Sequence, residues 1–206
     1  MNHLIARWRD LVADEDTGRD LLERWSEPHR RYHDVRHLRA VLDAIDELAG
    51  DADDPDAVRL AAWFHDAVYA GRPGQDERES AALAATTLSG LGVDEGRIAE
   101  VVRLVELTAT HEPAPADLNG AVLCDADLAV LGRDPAAYAD YAAAVRAEYA
   151  HVADKDFRRG RVEVLGRLLS RDRLFHTVNG RRRWEGTARR NLTTELALLR
   201  AGASAS

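Results

Sequence analysis

Apolar residues along this chain recur with the spacing of an α-helix. Leu4, Trp8, Leu11 and Val12 lie three, four and seven positions apart, as on one face of an amphipathic helix. Similar spacing returns in the later segments, and no segment alternates convincingly between apolar and polar residues with period two. The pattern therefore predicts an all-α protein, built from helices of about ten to twenty residues joined by short loops.

Capping residues and helix breakers indicate where these helices begin and end. The predicted helices begin near Leu4, Thr17, Asp34, Pro55, Asp76, Asp94, Leu118, Pro135, Phe157 and Trp184. The helix that starts at Pro55 is predicted to run through the pair His65-Asp66 and to break before Gly71. If Asp34 is an N-cap, His37 lies in the first turn of the third helix. A turn is predicted at Asn179-Gly180, and the last helix is predicted to end near Leu199.

Length and composition narrow the class of protein. A chain of 206 residues that is 46% hydrophobic suits one domain, predicted over residues 1–200, with a frayed tail at 201–206. The net charge of −8 argues against binding to a nucleic-acid polymer. Cys124 is the only cysteine, which excludes an internal disulfide and zinc sites with several thiolates. With no apolar run like a signal peptide or a membrane span, we expect a cytoplasmic protein that does not bind membranes.

Positive charge is concentrated in the C-terminal third. Eleven arginines and three acidic residues lie between Arg158 and Arg190, a local balance of +8. One interpretation is a solvated face with ordinary ion pairs. The other is that Arg146, Arg161 or Arg189 grips the phosphate of a small substrate. The alternative partners of these three arginines in the sequence are Glu148, Glu163 and Glu185.

The pair His65-Asp66 is the clearest candidate for chemistry, because it lies in an otherwise apolar segment. Burying two such side chains is costly unless they are paired, hydrogen-bonded or bound to a metal. Neighbouring side chains on a helix point about 100° apart, so one ion must lie between their directions if both are to bind it. His37 and Asp127 are candidates for further ligands from other helices.

The order His37, His65-Asp66, Asp127 resembles the HD superfamily of metal-dependent phosphohydrolases, and most closely a bacterial branch of predicted HD phosphohydrolases. The stretches that carry this resemblance are Arg31-Tyr32-His33 with His37, Trp63 to Tyr69, Asp76-Glu77 with Ser80-Ala81, Asp125 to Leu128 with Leu131-Gly132, Arg146 with Glu148-Tyr149, Gly160-Arg161, and Ala188-Arg189 with Asn191-Leu192. The resemblance implies a single-domain HD-type helical bundle. It also implies that His37, His65, Asp66 and Asp127 bind a metal, and that a phosphate ester of a nucleotide or other small metabolite is hydrolysed.

Two imidazoles and two carboxylates form a site that suits a divalent Mn, Fe, Co, Ni, Zn or Mg ion. On a six-coordinate ion they leave two positions, one for water and one for a substrate oxygen, and the metal would activate that water. Asp66 is therefore expected to serve catalysis as well as binding. In related HD hydrolases a carboxylate near Glu77 positions or activates the water. Glu77 could instead only complement the dipole of its helix.

Other residues near the motif have two interpretations each. His33 is expected to pack or to bond to a ligand; the metalloprotease pattern needs Glu where Asp34 stands. Asp125 and Asp127 point about 200° apart on a helix, so only one can face the metal. The resemblance favours Asp127 and leaves Asp125 a cap or a supporting hydrogen bond. His111 either ends a helix or lines the pocket, where some HD proteins hold a second metal.

Two alternative functions remain open from the sequence. An HD-fold di-iron oxygenase would need a second metal and more histidine ligands than the motif supplies. A non-catalytic module would hold a metal for structure or sense a nucleotide without turnover. The substrate, the metal and the oligomeric state are not determined by the sequence.

Overall fold

The computed structural model describes residues 2–203, and this part of the chain contains helices and no β-strand. In chain order the helices are α1 (Asn2–Leu11), α2 (Glu15–Trp25), α3 (Val35–Leu48), α4 (Pro55–Phe64), α5 (Asp76–Gly90), α6 (Glu95–Leu107), α7 (Leu118–Asp127), α8 (Pro135–Glu148), α9 (Asp154–Ser170), α10 (Val178–Gly180) and α11 (Gly186–Ala203). Short 3-10 segments follow α3 and α7, at Ala49–Asp51 and Leu128–Gly132. The all-α prediction is confirmed. None of the described helices has both the length and the apolar character that a bilayer crossing requires.

Acidic side chains cap most of the helices that surround the candidate site. The side chain of Asp34 accepts hydrogen bonds from the backbone N–H groups of Arg36 and His37, which confirms it as the N-cap of α3. The predicted cap Asp94 is confirmed as well, and Asp134 caps the helix that was predicted to begin near Pro135. The prediction that Thr17 caps α2 is wrong. Asp14 accepts the N–H of Thr17 at 2.9 Å and starts the helix one turn earlier.

The helix that was predicted to carry His65 and Asp66 ends at Phe64. Both residues lie in the turn that follows α4, so this prediction is wrong. Ser80 of α5 explains part of the difference, because its Oγ accepts the N–H of Val68 at 3.0 Å and donates to the carbonyl of Val68 at 3.3 Å. These bonds to a distant helix replace the local bonds that would have continued α4.

The C-terminal helices also differ from prediction. The predicted turn at Asn179-Gly180 lies inside α10, which continues through a π-helical segment, Arg181–Glu185, into α11. The side chain of Thr177 caps α10 by accepting the N–H of Gly180. The last helix continues past Leu199 to Ala203, so part of the expected tail is helical, and residues 204–206 lie outside the described residues.

A cluster of buried aromatic rings fixes the position of the end of α4. Trp8, Trp25, Trp63 and Phe64 are each 0% exposed. Trp8 packs edge-to-face against Trp63 with ring centroids 5.3 Å apart, and the indole N–H of Trp25 donates to the carbonyl of Trp63 at 3.0 Å. The Trp25 ring also lies 5.3 Å from the ring of His65. The N-terminal helices therefore hold the residues that lead into the candidate site.

Candidate metal centre

Three side chains that are distant in sequence meet at one point in the core. His37 lies in the first turn of α3, His65 directly follows α4, and Asp127 is the last residue of α7. The two imidazole Nε2 atoms are 3.2 Å apart. Oδ1 of Asp127 is 3.0 Å from Nε2 of His37 and 3.7 Å from Nε2 of His65. These three residues form a group that could hold a metal ion.

Asp66 faces the same two imidazoles. Its Oδ2 lies 3.2 Å from Nε2 of His65 and 3.9 Å from Nε2 of His37. It stands outside the set of three whose ligand atoms all lie within 4.8 Å of one another. The structure thus brings all four predicted ligands together, with Asp66 at the edge of the group.

The donor atoms fit a divalent cation. Ligand atoms that occupy neighbouring positions around an ion, each about 2.1 Å from it, lie about 3.0 Å apart, close to the observed separations. The Nδ1–H of His65 donates to the carbonyl of Ala62 at 2.9 Å, which leaves the lone pair of a neutral ring on Nε2. His111 donates through Nε2 to Oδ2 of Asp127 at 2.6 Å, and Oδ1 then faces the imidazoles. Both are the supporting bonds that metal ligands usually have.

The charges in the group favour a cation between them. Burial lowers the pKa of His65, but the carboxylates of Asp66 and Asp127 outweigh burial and raise it to about 9. Burial raises the pKa of Asp66, whereas His65 and His33 bring it down to about 2. Burial also raises the pKa of Asp127, but the charge of His65 and a hydrogen bond from His111 lower it well below the usual range. Two ionised carboxylates therefore surround a position where positive charge is stabilised.

A cavity of about 170 Å³ opens beside this group. His65, Asp66 and Asp127 form one part of its wall, while Glu77 and His111 form another. A backbone hydrogen bond fixes Glu77, because its Oε2 accepts the N–H of Gly74 at 2.6 Å. The predicted carboxylate Glu77 and the predicted pocket residue His111 thus line the same cavity as His65, Asp66 and Asp127.

Glu148 holds the loop that precedes α3, a role that the sequence did not indicate. Its Oε2 accepts the backbone N–H groups of Arg31, Tyr32 and His33. Its Oε1 accepts the Nδ1–H of His33 at 2.5 Å and the hydroxyl of Tyr69 at 2.8 Å. Burial raises the pKa of Glu148, but His33 and the backbone bonds lower it far below the usual value. His33 is thereby fixed at the edge of the cavity, with its ring stacked on Tyr69.

Arg30 was also missed, and it ties two parts of the site together. Its side chain is 0% exposed and donates to the carbonyls of His33 at 3.0 Å, Asp66 at 2.7 Å and Ala67 at 3.3 Å. The guanidinium lies 5.5 Å from the ring centroids of both Trp25 and Tyr69. A single arginine in a polar stretch has no periodic signature, so only the fold reveals that it joins the turn carrying Asp66 to the loop before α3.

Asp125 points away from the candidate metal site. It is 0% exposed and accepts the backbone N–H of His176 at 2.6 Å and both the N–H and the hydroxyl of Thr177 at 2.8 Å. Burial raises the pKa of Asp125 to about 6 against these bonds. Asp125 therefore anchors the chain before α10, and Asp127 alone of the two faces the imidazoles.

The three arginines proposed to grip a substrate are engaged elsewhere, and in the described part of the chain none lines the 170 Å³ cavity. The carboxylate partners of Arg146, Arg161 and Arg189 are Asp154, Glu195 and Glu185, respectively. Arg146 also donates to two backbone carbonyls, and Arg189 to three. Of the partners suggested by the sequence, Glu185 is the one observed. The ion-pair interpretation therefore accounts for these arginines in the structure.

Comparisons of the chain with protein-family models, with curated proteins and with solved structures find no match.

Proposed function

We propose that the protein is an HD-type metal-dependent phosphohydrolase that hydrolyses a phosphate ester of a nucleotide or another small phosphorylated metabolite. The observation that carries the proposal is the approach of Nε2 of His37, Nε2 of His65 and Oδ1 of Asp127 to within 3.7 Å of one another. Asp66 completes the ordered set of residues that resembles the HD superfamily. His37, His65, Asp66 and Asp127 would hold one divalent ion.

The surrounding residues have distinct roles in this proposal. The cation would supply Lewis-acid chemistry, lowering the pKa of a water and neutralising charge on the phosphoryl group. The carbonyl of Ala62 holds the ring of His65 in the tautomer that ligation needs, and His111 orients Asp127. Glu77 shares the cavity with Asp66 and would orient a water there or accept its proton.

The same geometry favours one ion over two. In the described residues, the group whose ligand atoms all lie within 4.8 Å of one another has three members, which suits one ion. A di-iron oxygenase would need further ligands for a second ion. For this reason we place hydrolysis ahead of oxygen chemistry.

Thermal melts with and without Mn²⁺, paired with a phosphate-release screen, test the proposal. The screen covers nucleotides and simple phosphate monoesters with Mn²⁺, Fe²⁺, Co²⁺, Ni²⁺, Zn²⁺ and Mg²⁺. For the wild type we expect phosphate release and about 2.7 kcal/mol of added stability at 100 times the metal Kd. Asp66→Ala should lose both the phosphate release and the metal-dependent stabilisation. Glu77→Ala should keep the metal stabilisation while turnover falls about 10²–10⁴-fold.

The other outcomes either overturn the proposal or indicate a different function. An Asp66→Ala protein that keeps its metal stabilisation and its activity would overturn the proposal. Metal binding without phosphate release from any ester would indicate a non-catalytic module. Bound iron with oxygen consumption would indicate an oxygenase.

A further inference from the structure

A groove of about 500 Å³ lies beside the metal-site cavity, between α8, α9 and the loop before α3. We call it the aromatic groove, and its main walls are Tyr32, His33, Tyr141, Tyr149, Phe157 and Val164. Val164 is 37% exposed, which is unusual for a large apolar side chain in this protein. The groove therefore presents apolar and aromatic surface to solvent.

The aromatic groove adjoins the metal-site cavity. His33 and Tyr149 line both spaces. Glu148 fixes His33 at this junction through the hydrogen bond to Nδ1. The cavity of about 170 Å³ suits a phosphate group, whereas the groove lies in the range of about 300–1,000 Å³ that is typical of pockets for organic ligands. A phosphate ester whose phosphate lies beside Asp66 would extend past His33 into the groove.

The charges around the groove indicate what kind of group it accepts. Its acidic residues are Asp156 and Glu163, and its basic residues are Arg161 and Arg167, so the formal charges cancel. The guanidinium of Arg161 is already bound to Glu195 and to the hydroxyl of Tyr141. The groove is thus poorly suited to a second phosphate. Aromatic rings and valines favour an uncharged planar group that buries apolar area.

We propose that the aromatic groove binds the organic group of the phosphate ester and selects esters of planar, apolar alcohols over esters of small alcohols. This inference rests on the proposed function, because it assumes that the phosphate lies at the metal centre. It assigns specificity to α8 and α9, whereas the metal ligands lie on or beside α3, α4 and α7.

Two glycines of α9 offer a matched pair of variants. A Cβ added at Gly160 or at Gly166 would meet no heavy atom within 4 Å beyond its own helix and chain neighbours, so a side chain can start from either position without a clash. Only Gly160 is among the residues that line the groove. Gly160→Leu should therefore fill the groove, while Gly166→Leu controls for the loss of a helical glycine.

The experiment measures binding by calorimetry to the Mn²⁺-loaded protein, with Glu77→Ala present in the wild-type groove and in every variant so that the esters are hydrolysed slowly. The probes are inorganic phosphate, methyl phosphate and 1-naphthyl phosphate. The wild type and Gly166→Leu should bind 1-naphthyl phosphate at least about tenfold more tightly than methyl phosphate, because the ring buries apolar area. Gly160→Leu should lose that preference and keep its affinities for methyl phosphate and inorganic phosphate. Val164→Trp, with the exposed Leu198→Trp on α11 as its control, repeats the test from a second wall.

The outcomes separate this inference from the proposed function. A wild type that binds Mn²⁺ but shows no preference for the naphthyl ester would overturn the groove assignment alone. The groove assignment would also be overturned if Gly160→Leu and Val164→Trp both keep the preference for the naphthyl ester. It would be overturned as well if the controls Gly166→Leu and Leu198→Trp both lose that preference. A wild type that fails to bind Mn²⁺, measured first, would overturn the proposed function and this inference with it.

Discussion

Two buried polar clusters in this protein satisfy their charges in different ways. The first, which we call the Arg161 cluster, consists of Arg161, Glu195, Tyr138 and Tyr141. Arg161 donates through Nε and Nη2 to the two carboxylate oxygens of Glu195, at 2.8 and 3.0 Å, and through Nη1 to the hydroxyl of Tyr141 at 3.1 Å. The hydroxyl of Tyr138 donates to Glu195 as well. The single positive charge and the single negative charge of this cluster therefore balance.

The metal centre does not balance in this way. The carboxylates of Asp66 and Asp127 face the imidazoles of His37 and His65, whose Nε2 atoms lie 3.2 Å apart. Without a metal, His65, whose pKa is raised to about 9, supplies one positive charge against these two carboxylates. Clusters that only stabilise a fold are usually complete within the protein, as the Arg161 cluster is. The metal centre needs added positive charge, so mutations in the two clusters should have opposite signatures.

The largest effect is expected in the Arg161 cluster. Arg161→Met leaves the carboxylate of Glu195 largely buried and without its counter-charge. Removing one partner of a buried pair costs about 3–5 kcal/mol of unfolding free energy. Urea denaturation with and without Mn²⁺ should show the same loss in both conditions. A loss below about 1 kcal/mol would put this pair in the class of surface salt bridges.

The two aspartates of α7 provide a direct contrast between stability and metal binding. Asp127→Ala should remove the Mn²⁺-dependent stabilisation, about 2.7 kcal/mol at 100 times the Kd. Asp125→Ala should keep that stabilisation and destabilise the fold by at least about 1–3 kcal/mol, because it leaves the N–H groups of His176 and Thr177 without an acceptor. Melting curves with and without Mn²⁺ measure both effects. If the two variants behave alike, the assignment of Asp127 as the ligand is wrong.

Local signals in the sequence were enough to predict much of the fold and part of the site. Asp34 is followed by apolar residues at helical spacing. These two local features correctly predicted where α3 begins and that His37 lies in its first turn. The spacing of apolar residues identified the helices because helical periodicity is a property of neighbouring residues. Two positions along a helix turn by about 200°, which correctly predicted that Asp125 and Asp127 face different directions. The choice of Asp127 as the metal ligand came from the resemblance.

Features that depend on distant residues were not predictable in this way. The turn at His65-Asp66 looks helical locally, and it is held by Ser80 and by the carbonyl contacts of Arg30. Glu148 binds a loop that lies 115–117 positions earlier in the chain. Arg161 selects Glu195, 34 positions away, over the nearby Glu163. Partner choice of this kind follows from how the helices pack, which spacing alone does not encode.

His111 offers a smaller test of the metal centre. Its backbone φ is +53°, a conformation that Asn adopts more readily than most residues. His111→Asn should therefore keep the fold while losing the hydrogen bond to Oδ2 of Asp127. We expect the affinity for Mn²⁺ to fall about 10–100-fold, as is typical when a supporting partner of a ligand is removed. The exposed His3→Asn serves as the control, and an unchanged affinity in both variants would show that His111 does not orient Asp127.

The last prediction concerns how the stabilisation by Glu148 depends on pH. The hydrogen bonds to this carboxylate all come from the protein itself. Because the folded state lowers the pKa of Glu148, ionised Glu148 contributes stability that is fully present above its unfolded pKa of about 4.5 and is lost as the pH falls further. Glu148→Gln keeps the shape and one acceptor but loses the charge and the second acceptor, so the cost at pH 7 should be about 1–3 kcal/mol. In metal-free protein, the difference in Tm between wild type and Glu148→Gln should shrink between pH 5 and pH 3. A constant difference over that range would mean that Glu148 does not carry its charge in the folded state, and that the loop before α3 is held by hydrogen bonds alone.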